Sequence, residues 1–429
     1  MLDIKLVREK PALIRKDLRK RGEKEKLELL GTLIKNDTEW RESLKKSEDL
    51  RRKRNIITEE IAKFKQAGKE KDAEKRIKQL KKLPEEIKAL ESRVQELKSL
   101  NRDALMRLPN TLHESVPRGK DEHDNIPIKH WGKIPKFGFK PKNHLELAKS
   151  LDLIDGERAS RVAGAGFFYL KGDLVRLDYA IMQFAVDFLN KKGFTIIEPP
   201  FMIARKPYEG VTDLGDFEDV MYKIENEDLY MIATSEHPMA AMFMNETLEL
   251  KDLPIRLCGI SPCFRREVGS HGKYTKGLFR MHQFNKIEQF VFCHPDDSWK
   301  IHEELQKNCE DLYKALELPF RVVNVCTGDI GSIASKKYDT EIWMADGEYR
   351  EIGSNSNATD YQARRLGVRF REKEGQAPAG FVHTLNNTAL ATSRVMVALL
   401  EVHQQKDGSV LIPKALRPYM GNQHKIIKK

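Results

Sequence analysis

The chain has 429 residues, 40% of them hydrophobic and 33% charged, so it should be globular, highly charged and long enough for two or three domains. Its net charge of +11 favours a polyanionic partner, although basic charge also serves solubility. No apolar run approaches the length of a membrane span. The five cysteines include no CxxC pair, which argues against a disulfide framework and against a zinc site. We therefore expect a reducing, cytoplasmic compartment.

The first 110 residues are predicted to be helical. Short helical patterns occupy residues 1–35, and a long charged helix is expected over about residues 37–66. After a turn at Gly68, apolar residues recur every seven positions over about residues 71–108, with the polar Asn101 at one inward position. Pro84 falls inside this repeat and should kink the helix. The pattern predicts an antiparallel coiled-coil hairpin over about residues 37–108, on the order of 40–55 Å long.

Positive charge is concentrated on this predicted hairpin. Between Arg41 and Lys82 there are 16 lysines and arginines against 8 carboxylates, a net of +8. A basic run lies within it, formed by Arg51, Arg52, Lys53 and Arg54. Such a cationic arm is typical of contacts to a phosphate backbone that read shape rather than bases. On charge alone, a solvated helical surface or a simple spacer remains an alternative.

The remaining chain mixes separate strands and helices. Residues 109–150 are rich in proline and glycine and are interpreted as a linker and the entry to the second domain. A strand, a long amphipathic helix and a second strand should follow, ending at Pro199 and Pro200. Further along, we expect a helix over 299–316, a strand near 320–325, two strands and a loop over 339–365, and a strand that runs into a helix over about 383–401.

The stretch from Ile260 to Phe290 is the most informative part of the sequence. It is predicted to form two strands joined by a Gly-rich, basic loop. Because side chains alternate between the faces of a strand, one face should carry Arg265 and Glu267 on the first strand. On the second strand it should carry Arg280, His282, Phe284, Lys286 and Glu288. Cations, a carboxylate and an aromatic ring suit a flat, anionic ligand, whereas a solvated strand face is the alternative.

These residues also carry a resemblance. FRRE, a loop and GLFRMHQF are similar to motif 2 of class II aminoacyl-tRNA synthetases, and GLFRMHQFNKIEQF resembles the seryl-tRNA synthetases in particular. Segments resembling motif 1 (about 174–200), motif 2 (about 257–290) and motif 3 (about 381–401) occur in order. The motif 3 segment has alanine and serine where the general class II version is Gly-rich.

The resemblance implies a fold and an activity. The fold would be α+β: a helical, tRNA-binding arm (1–110), and then a class II catalytic domain (111–429) on an antiparallel sheet flanked by helices. The activity would be activation of L-serine by ATP with Mg²⁺, and transfer of serine to the 3′ end of tRNA(Ser), with tRNA(Sec) as a further substrate where present. The resemblance also implies a homodimer.

The resemblance also assigns roles to individual site residues. Catalytic roles fall to Arg265, Glu267 and Arg394, and Mg²⁺ would bind Glu351 and Ser354. Serine contacts would be Thr234, Ser235, Glu236, Glu288, Asn386 and Thr388. Further ATP contacts would be Arg266, Arg280, Met281, Phe284, Ile352 and Gly353. The basic run of the arm would contact tRNA.

Taken singly, these residues have plainer interpretations. The Thr-Ser-Glu segment is typical of a helix cap, Glu351 of a surface salt bridge, and Arg394 of a snorkelling arginine. Two rival functions stay open. One is a paralogue that charges a carrier protein, but such proteins lack the long arm. The other is a non-catalytic RNA-binding protein with a decayed site, but Arg265, Glu267, Glu351 and Arg394 are all present.

Overall fold

A computed structural model describes residues 1–213, 218–267 and 277–428. The chain divides into two compact units, Met1–Pro109 and Asn110–Lys429. In these described ranges, no helix combines the length and the apolar character that crossing a membrane requires.

The N-terminal unit is entirely helical. Its helices are α1 (Ile4–Glu9), α2 (Pro11–Arg21), α3 (Lys24–Gln66), α4 (Glu70–Leu80) and α5 (Leu83–Arg107). α3 begins earlier than predicted, because the fully buried Leu30 and Leu33 continue its apolar seam towards the N-terminus. A small core of Ile57, Leu83 and Ile87 joins α3 to α5.

The prediction of a kinked helix at Pro84 is wrong, because the chain has a break between two helices there. The second half of the hairpin is two helices, separated by a turn at Lys81 and Lys82, and Pro84 lies in the first turn of α5. Proline is tolerated there because the first helical N–H groups have no partner within the helix. The proline therefore begins a helix instead of bending one.

The C-terminal unit is built on strands and flanking helices. The strands are β1 (Ile126–Trp131), β2 (Ile154–Asp155), β3 (Tyr169–Leu170), β4 (Thr195–Ile197), β5 (Met202–Ala204), β6 (Leu229–Met231), β7 (Thr247–Glu249), β8 (Ile255–Phe264), β9 (Gln283–Cys293), β10 (Phe320–Asn324), β11 (Lys336–Trp343), β12 (Tyr349–Thr359), β13 (Arg369–Arg371), β14 (Gly380–Phe381), β15 (His383–Ala391), β16 (Val410–Leu411) and β17 (Lys425–Ile426).

The helices of this unit are α6 (His144–Ser150), α7 (Gly156–Ala163), α8 (Asp173–Lys191), α9 (Arg205–Val211), α10 (Glu236–Ala241), α11 (Ser298–Ala315), α12 (Tyr361–Leu366) and α13 (Thr392–Val402). Eight strands form one sheet in the order β1-β10-β11-β12-β15-β9-β8-β4. Every pair is antiparallel except β4 with β8. Buried residues of α8, α11 and α13 pack with the sheet into the main hydrophobic core, which confirms the α+β class.

Three sequence interpretations need correction here. The segment interpreted as a linker contains the sheet's edge strand β1 and helix α6. Arg265 and Glu267 lie beyond the end of β8, and Arg280 precedes β9, so the predicted strands are too long. Glu267 has a φ of +48°, in the left-handed region, which a strand does not accommodate. The Gly-rich loop itself falls on residues 268–276, outside the described residues.

The cysteines are all free and buried. This agrees with the interpretation of Cys258 and Cys263 as small core hydrophobes.

Candidate active site

The central strands and the first turns of α10 and α13 surround a cavity of about 470 Å³. Thirteen residues predicted for the site line it: Thr234, Glu236, Arg265, Glu267, Arg280, Phe284, Glu351, Ile352, Gly353, Ser354, Asn386, Thr388 and Arg394. The first and the last of these residues, Thr234 and Arg394, are more than 150 positions apart in the sequence. The pairing of the sheet's strands brings the segments together.

A fully buried carboxylate, Glu288, lies at one end of the cavity. Its Oε2 is 2.5 Å from the Nζ of Lys286 and accepts a hydrogen bond from Thr388 Oγ1 at 3.2 Å. Its Oε1 accepts from Asn386 Nδ2 at 3.2 Å. Strand pairing explains this arrangement, because Thr388 of β15 lies directly opposite Glu288 of β9. The cluster offers hydrogen-bond donors and an acceptor to a small polar ligand.

A second carboxylate, Glu236, begins helix α10 nearby. Its backbone N–H donates to Thr234 Oγ1 at 3.1 Å, and Gln362 Nε2 donates to its Oε1 at 3.3 Å. Burial, followed by the charge of Glu288, raises the pKa of Glu236 to about 7, with Lys286 acting in the opposite direction. Glu236 lies near the Glu288–Lys286 pair without an ion pair of its own among the described residues, so its carboxylate can accept a cation such as an ammonium group.

Arginines occupy the next part of the wall. The guanidinium carbon of Arg265 lies 5.3 Å from the ring centre of Phe284, and its Nε donates to Ala233 O at 3.3 Å. Arg280 Nε is 2.5 Å from Glu267 Oε2. A cation and a ring side by side can hold a phosphate and a flat base.

At the other end, Arg394 contacts Glu351. Its Nη1 donates to the carboxylate Oε1 at 3.1 Å, and Ser354 Oγ lies 3.4 Å from the same oxygen. Desolvation acts to raise the pKa of Glu351, but Arg394 and Lys337 outweigh it and hold that pKa below its ordinary value. Asp339 lies opposite Ser354 across β11 and β12, and mainly its burial raises its pKa to about 7.

Four predicted residues do not line the cavity. Glu288 lies at the end of the cavity, in contact with the lining residues Lys286, Asn386 and Thr388. Ser235 is fully buried against Gly259, where a Cβ would approach its Oγ to 2.7 Å. Met281 is in the hydrophobic core, and Arg266 is exposed, with its backbone N–H bonded to Val220 O. The Thr-Ser-Glu segment leads into α10, with Ser235 at the N-cap position but without a side-chain cap hydrogen bond.

Five cavity or neighbouring residues were not predicted as site residues: Lys286, Lys337, Asp339, His237 and Gln362. Lys286 shares the two-residue alternation of Phe284 and Glu288, so the pattern contained its signal. Lys337 and Asp339 alternate in the same way on β11. Burial and nearby cations lower the pKa of His237 to about 3, which keeps its imidazole neutral. Gln362 had no sequence signal.

The basic run of the N-terminal unit is exposed throughout. Arg51 forms an ion pair with Glu91, with Nη2 and Oε1 2.5 Å apart. Within the described residues, Arg52, Lys53 and Arg54 have no carboxylate at ion-pair distance.

Two family models match the chain. Residues 1–112 match the seryl-tRNA synthetase N-terminal domain, and residues 220–403 match the tRNA synthetase class II core domain (G, H, P, S and T). The serine–tRNA ligase of Methanospirillum hungatei is 56% identical over 99% of both chains. The chain belongs to the seryl-tRNA synthetase family.

Solved structures of this family agree with the fold. Seryl-tRNA synthetase from Pyrococcus horikoshii, complexed with ATP, superposes with a TM-score of 0.96 at 48% identity, and both chains are covered completely. The cytoplasmic serine–tRNA ligase of Naegleria fowleri, in complex with AMP, gives a TM-score of 0.91 at 34% identity over 100% of this chain and 99% of that one.

Proposed function

We propose that this chain is a cytoplasmic serine–tRNA ligase. It activates L-serine with ATP to seryl-adenylate and transfers the seryl group to the 3′ end of tRNA(Ser), and of tRNA(Sec) where that tRNA exists. The observation that carries this proposal is the buried Glu288 with its three donors, at the end of a cavity whose remaining wall holds arginines. Membership of the family and the activity of its serine–tRNA ligase relatives support it.

Adenylation needs no covalent nucleophile from the protein. The serine carboxylate attacks the α-phosphorus of ATP, a P–O bond to that carboxylate forms, and the bond to pyrophosphate breaks. The protein positions the two substrates and stabilises the charge that develops. Arg265 is the group that grips the α-phosphate and the serine carboxylate, because its planar fork offers paired donors.

The adenine has a site beside this arginine. The ring of Phe284 stacks against the base, and Glu267 contacts its edge. Arg280 and Arg394 bind phosphate oxygens. In the ligand-free protein these two arginines are paired with Glu267 and Glu351, so each exchanges a carboxylate for a phosphate when ATP binds.

Serine is selected by its ammonium and its hydroxyl. Thr234 and Glu236 accept hydrogen bonds from the ammonium, and Glu288 with Thr388 pairs with the hydroxyl. Alanine lacks that hydroxyl and would leave buried polar groups unpaired, which in sites of this kind discriminates by about 10⁴-fold.

The residues also fit Mg²⁺. Asp339 has a buried Oδ1 without a hydrogen-bond partner among the described residues, next to the oxygens of Ser354 and Glu351. Oxygen ligands of this kind suit Mg²⁺, which needs few protein ligands when it also binds phosphates. Glu351 and Ser354 would hold it, and it would supply neutralisation of the phosphate charge.

The N-terminal hairpin is the tRNA-binding part of this proposal. Its exposed Arg52, Lys53 and Arg54 are available for a phosphate backbone. A homodimer is proposed on exposed apolar residues between positions 162 and 202, among them Val162 (74% exposed), Tyr179 (65%) and Ile196 (42%), the last on the sheet-edge strand β4.

Serine-dependent exchange between ATP and pyrophosphate tests the activity directly. We expect exchange with serine and none with alanine or glycine. Exchange with another amino acid but not with serine would overturn the assignment. Exchange with serine but no charging of tRNA(Ser) would instead favour a ligase for a carrier protein.

A further inference from the structure

Lys286 is a buried lysine that the proposed mechanism does not use. Its side chain is 6% exposed, and its Nζ lies 2.5 Å from Glu288 Oε2, whose side chain is fully buried. It also lines the cavity, so the ammonium contacts the carboxylate and borders the space for the ligand. Buried lysines are rare, and a buried charge normally requires a partner.

The neighbouring strands leave Lys286 no other counter-ion. Directly opposite it are Ser261 of β8 and Ala391 of β15, both small and uncharged. Opposite Glu288 on β8 is Gly259, which has no side chain. Across the described residues, Glu288 is the one carboxylate within ion-pair distance of Lys286. The pair is therefore built into the sheet.

The ammonium of Lys286 changes what Glu288 can bind. A buried, unpaired carboxylate would attract any cation or would take up a proton. With Lys286 on Oε2, the charge of Glu288 is balanced before a ligand arrives, while the carboxylate still accepts hydrogen bonds. Such a site suits a neutral hydroxyl, and a second cation in the same place would meet the lysine at close range.

We infer that Lys286 is a specificity-determining residue, which balances the charge of Glu288 so that the pocket accepts a side-chain hydroxyl and rejects a side-chain ammonium. This inference rests on the proposed function, in which Glu288 receives the serine side chain. The discriminated compound is 2,3-diaminopropionate, which carries an amino group in place of the serine hydroxyl.

Replacing Lys286 tests this inference. ATP–pyrophosphate exchange is measured with serine and with 2,3-diaminopropionate at neutral pH, where the side-chain amine is already protonated. In K286M, we expect kcat/KM for serine to fall about 10–100-fold, mainly through KM, because a charge-assisted contact is lost. The ratio of diaminopropionate to serine activity should rise about tenfold or more, because like-charge repulsion is removed.

Three variants make the test specific. K286R keeps the charge and should keep the ratio low. E288Q leaves the lysine uncompensated and should lower activity towards diaminopropionate further. In the double variant K286M/E288Q both charges are gone, so the ratio should rise above that of E288Q because the uncompensated ammonium is removed, and should stay below that of K286M because no carboxylate remains to attract the ligand's ammonium.

Folding is controlled separately. K307M removes an exposed lysine on α11, which pairs with Asp311, and should change neither the ratio nor the melting temperature. If K286M does not fold, K286Q keeps a polar end in the same space, and the double variant removes a buried pair as a unit, a change that proteins often tolerate.

Two outcomes would overturn the inference. One is a lowered serine activity in K286M with an unchanged ratio, which would give Lys286 a structural role alone. The other is a K286M enzyme that matches the wild type with both compounds. A wild-type protein that exchanges with a different amino acid and not with serine would instead refute the proposed function.

Discussion

Arg394 donates from one nitrogen, Nη1, to both the backbone oxygen and the carboxylate of Glu351, at 3.0 and 3.1 Å. The residues proposed for phosphate and for Mg²⁺ therefore satisfy each other in this structure. The guanidinium also lies 5.2 Å from the ring centre of Phe279. On the proposed mechanism, ATP binding separates this pair.

The first prediction concerns that arginine. R394A should lower kcat for serine-dependent exchange by about 10²–10³-fold, because a charge that stabilises the transferring phosphate is removed. R394K keeps a charge but loses the planar fork, and should recover only part of the rate. A kcat for R394A within about threefold of the wild type would contradict a catalytic role.

The second prediction is a pH dependence. Because the pKa of Glu236 is raised to about 7, its carboxyl is neutral below that pH and cannot pair with the serine ammonium. We expect KM for serine to rise about tenfold for each pH unit below 7, and E236Q to abolish this dependence. Its surroundings include Glu288, Lys286, Arg265 and Gln362, so K286M should alter the profile.

The same carboxyl affects stability with a definite sign. Its folded pKa is above the ordinary value of 4.5, so the stability it contributes is present below that value and is lost as the pH rises through about 7. At pH 8, the free energy of unfolding of E236Q should therefore exceed that of the wild type by on the order of 1–3 kcal/mol. Denaturant titrations without substrate measure this difference. The two proteins should converge at acidic pH, and a constant difference would contradict this origin.

The third prediction tests recognition of the hydroxyl. T388V removes the donor to Glu288 Oε2 while it keeps the shape of the side chain. Selection of serine over alanine in exchange should fall about 10–100-fold, with KM for ATP nearly unchanged. S356A, at a cavity residue for which no side-chain contact is proposed, is the matched control.

The fourth prediction concerns the arm. Reversal of Arg52, Lys53 and Arg54 to glutamate should leave serine-dependent exchange intact, weaken tRNA(Ser) binding and reduce the slope of log affinity against log salt by about 1 for each lost contact. Arg51 is left unchanged because its loss would also break the pair with Glu91. The effect should be nearly absent for a tRNA trimmed of its long variable arm.

A control for the arm uses lysines of the C-terminal unit. Glutamates at Lys251, Lys300 and Lys373, all exposed, change the net charge equally. If this control weakens tRNA binding as much as the arm variant does, the hairpin is a spacer.

The fifth prediction concerns assembly. Y179E places a charge on an exposed aromatic residue of α8, within the surface proposed for the dimer. In sedimentation at micromolar concentration we expect a dimeric wild type and a shift of the variant towards monomer. A wild type that sediments as a monomer and is fully active would contradict the proposed dimer.

Periodicity and motif order predicted most of the fold. The heptad repeat of 71–108 and the strand–helix–strand unit around α8 were recognisable, because each has an apolar face with a regular spacing. The edge strand β1 was missed because five of its six positions, Pro127 among them, are exposed, so the alternation of a strand is hidden. Long-range sheet pairing, not local preference, makes it a strand.

The candidate site was predictable where its residues share one strand, and was not predictable where distant segments pack together. Residues on one strand, such as Phe284 and Glu288, follow from alternation. Gln362 reaches Glu236 from a helix 126 residues away in sequence, which no local pattern encodes. Ser235 was assigned through the resemblance alone, and its fully buried side chain lies just before α10, outside the cavity lining.

The paired arginines have a consequence for which ligands the cavity can bind. Among its described lining residues, the cations are Arg265, Arg280, Lys286, Lys337 and Arg394, and the carboxylates are Glu236, Glu267 and Glu351. The wall thus carries its own counter-ions. A free phosphate that binds one of the paired arginines would displace a carboxylate and leave that carboxylate without its partner. On the proposed function, the serine ammonium and metal-bound ATP together supply partners for the carboxylates as well as for the arginines, so the cavity favours the two substrates over a free phosphate.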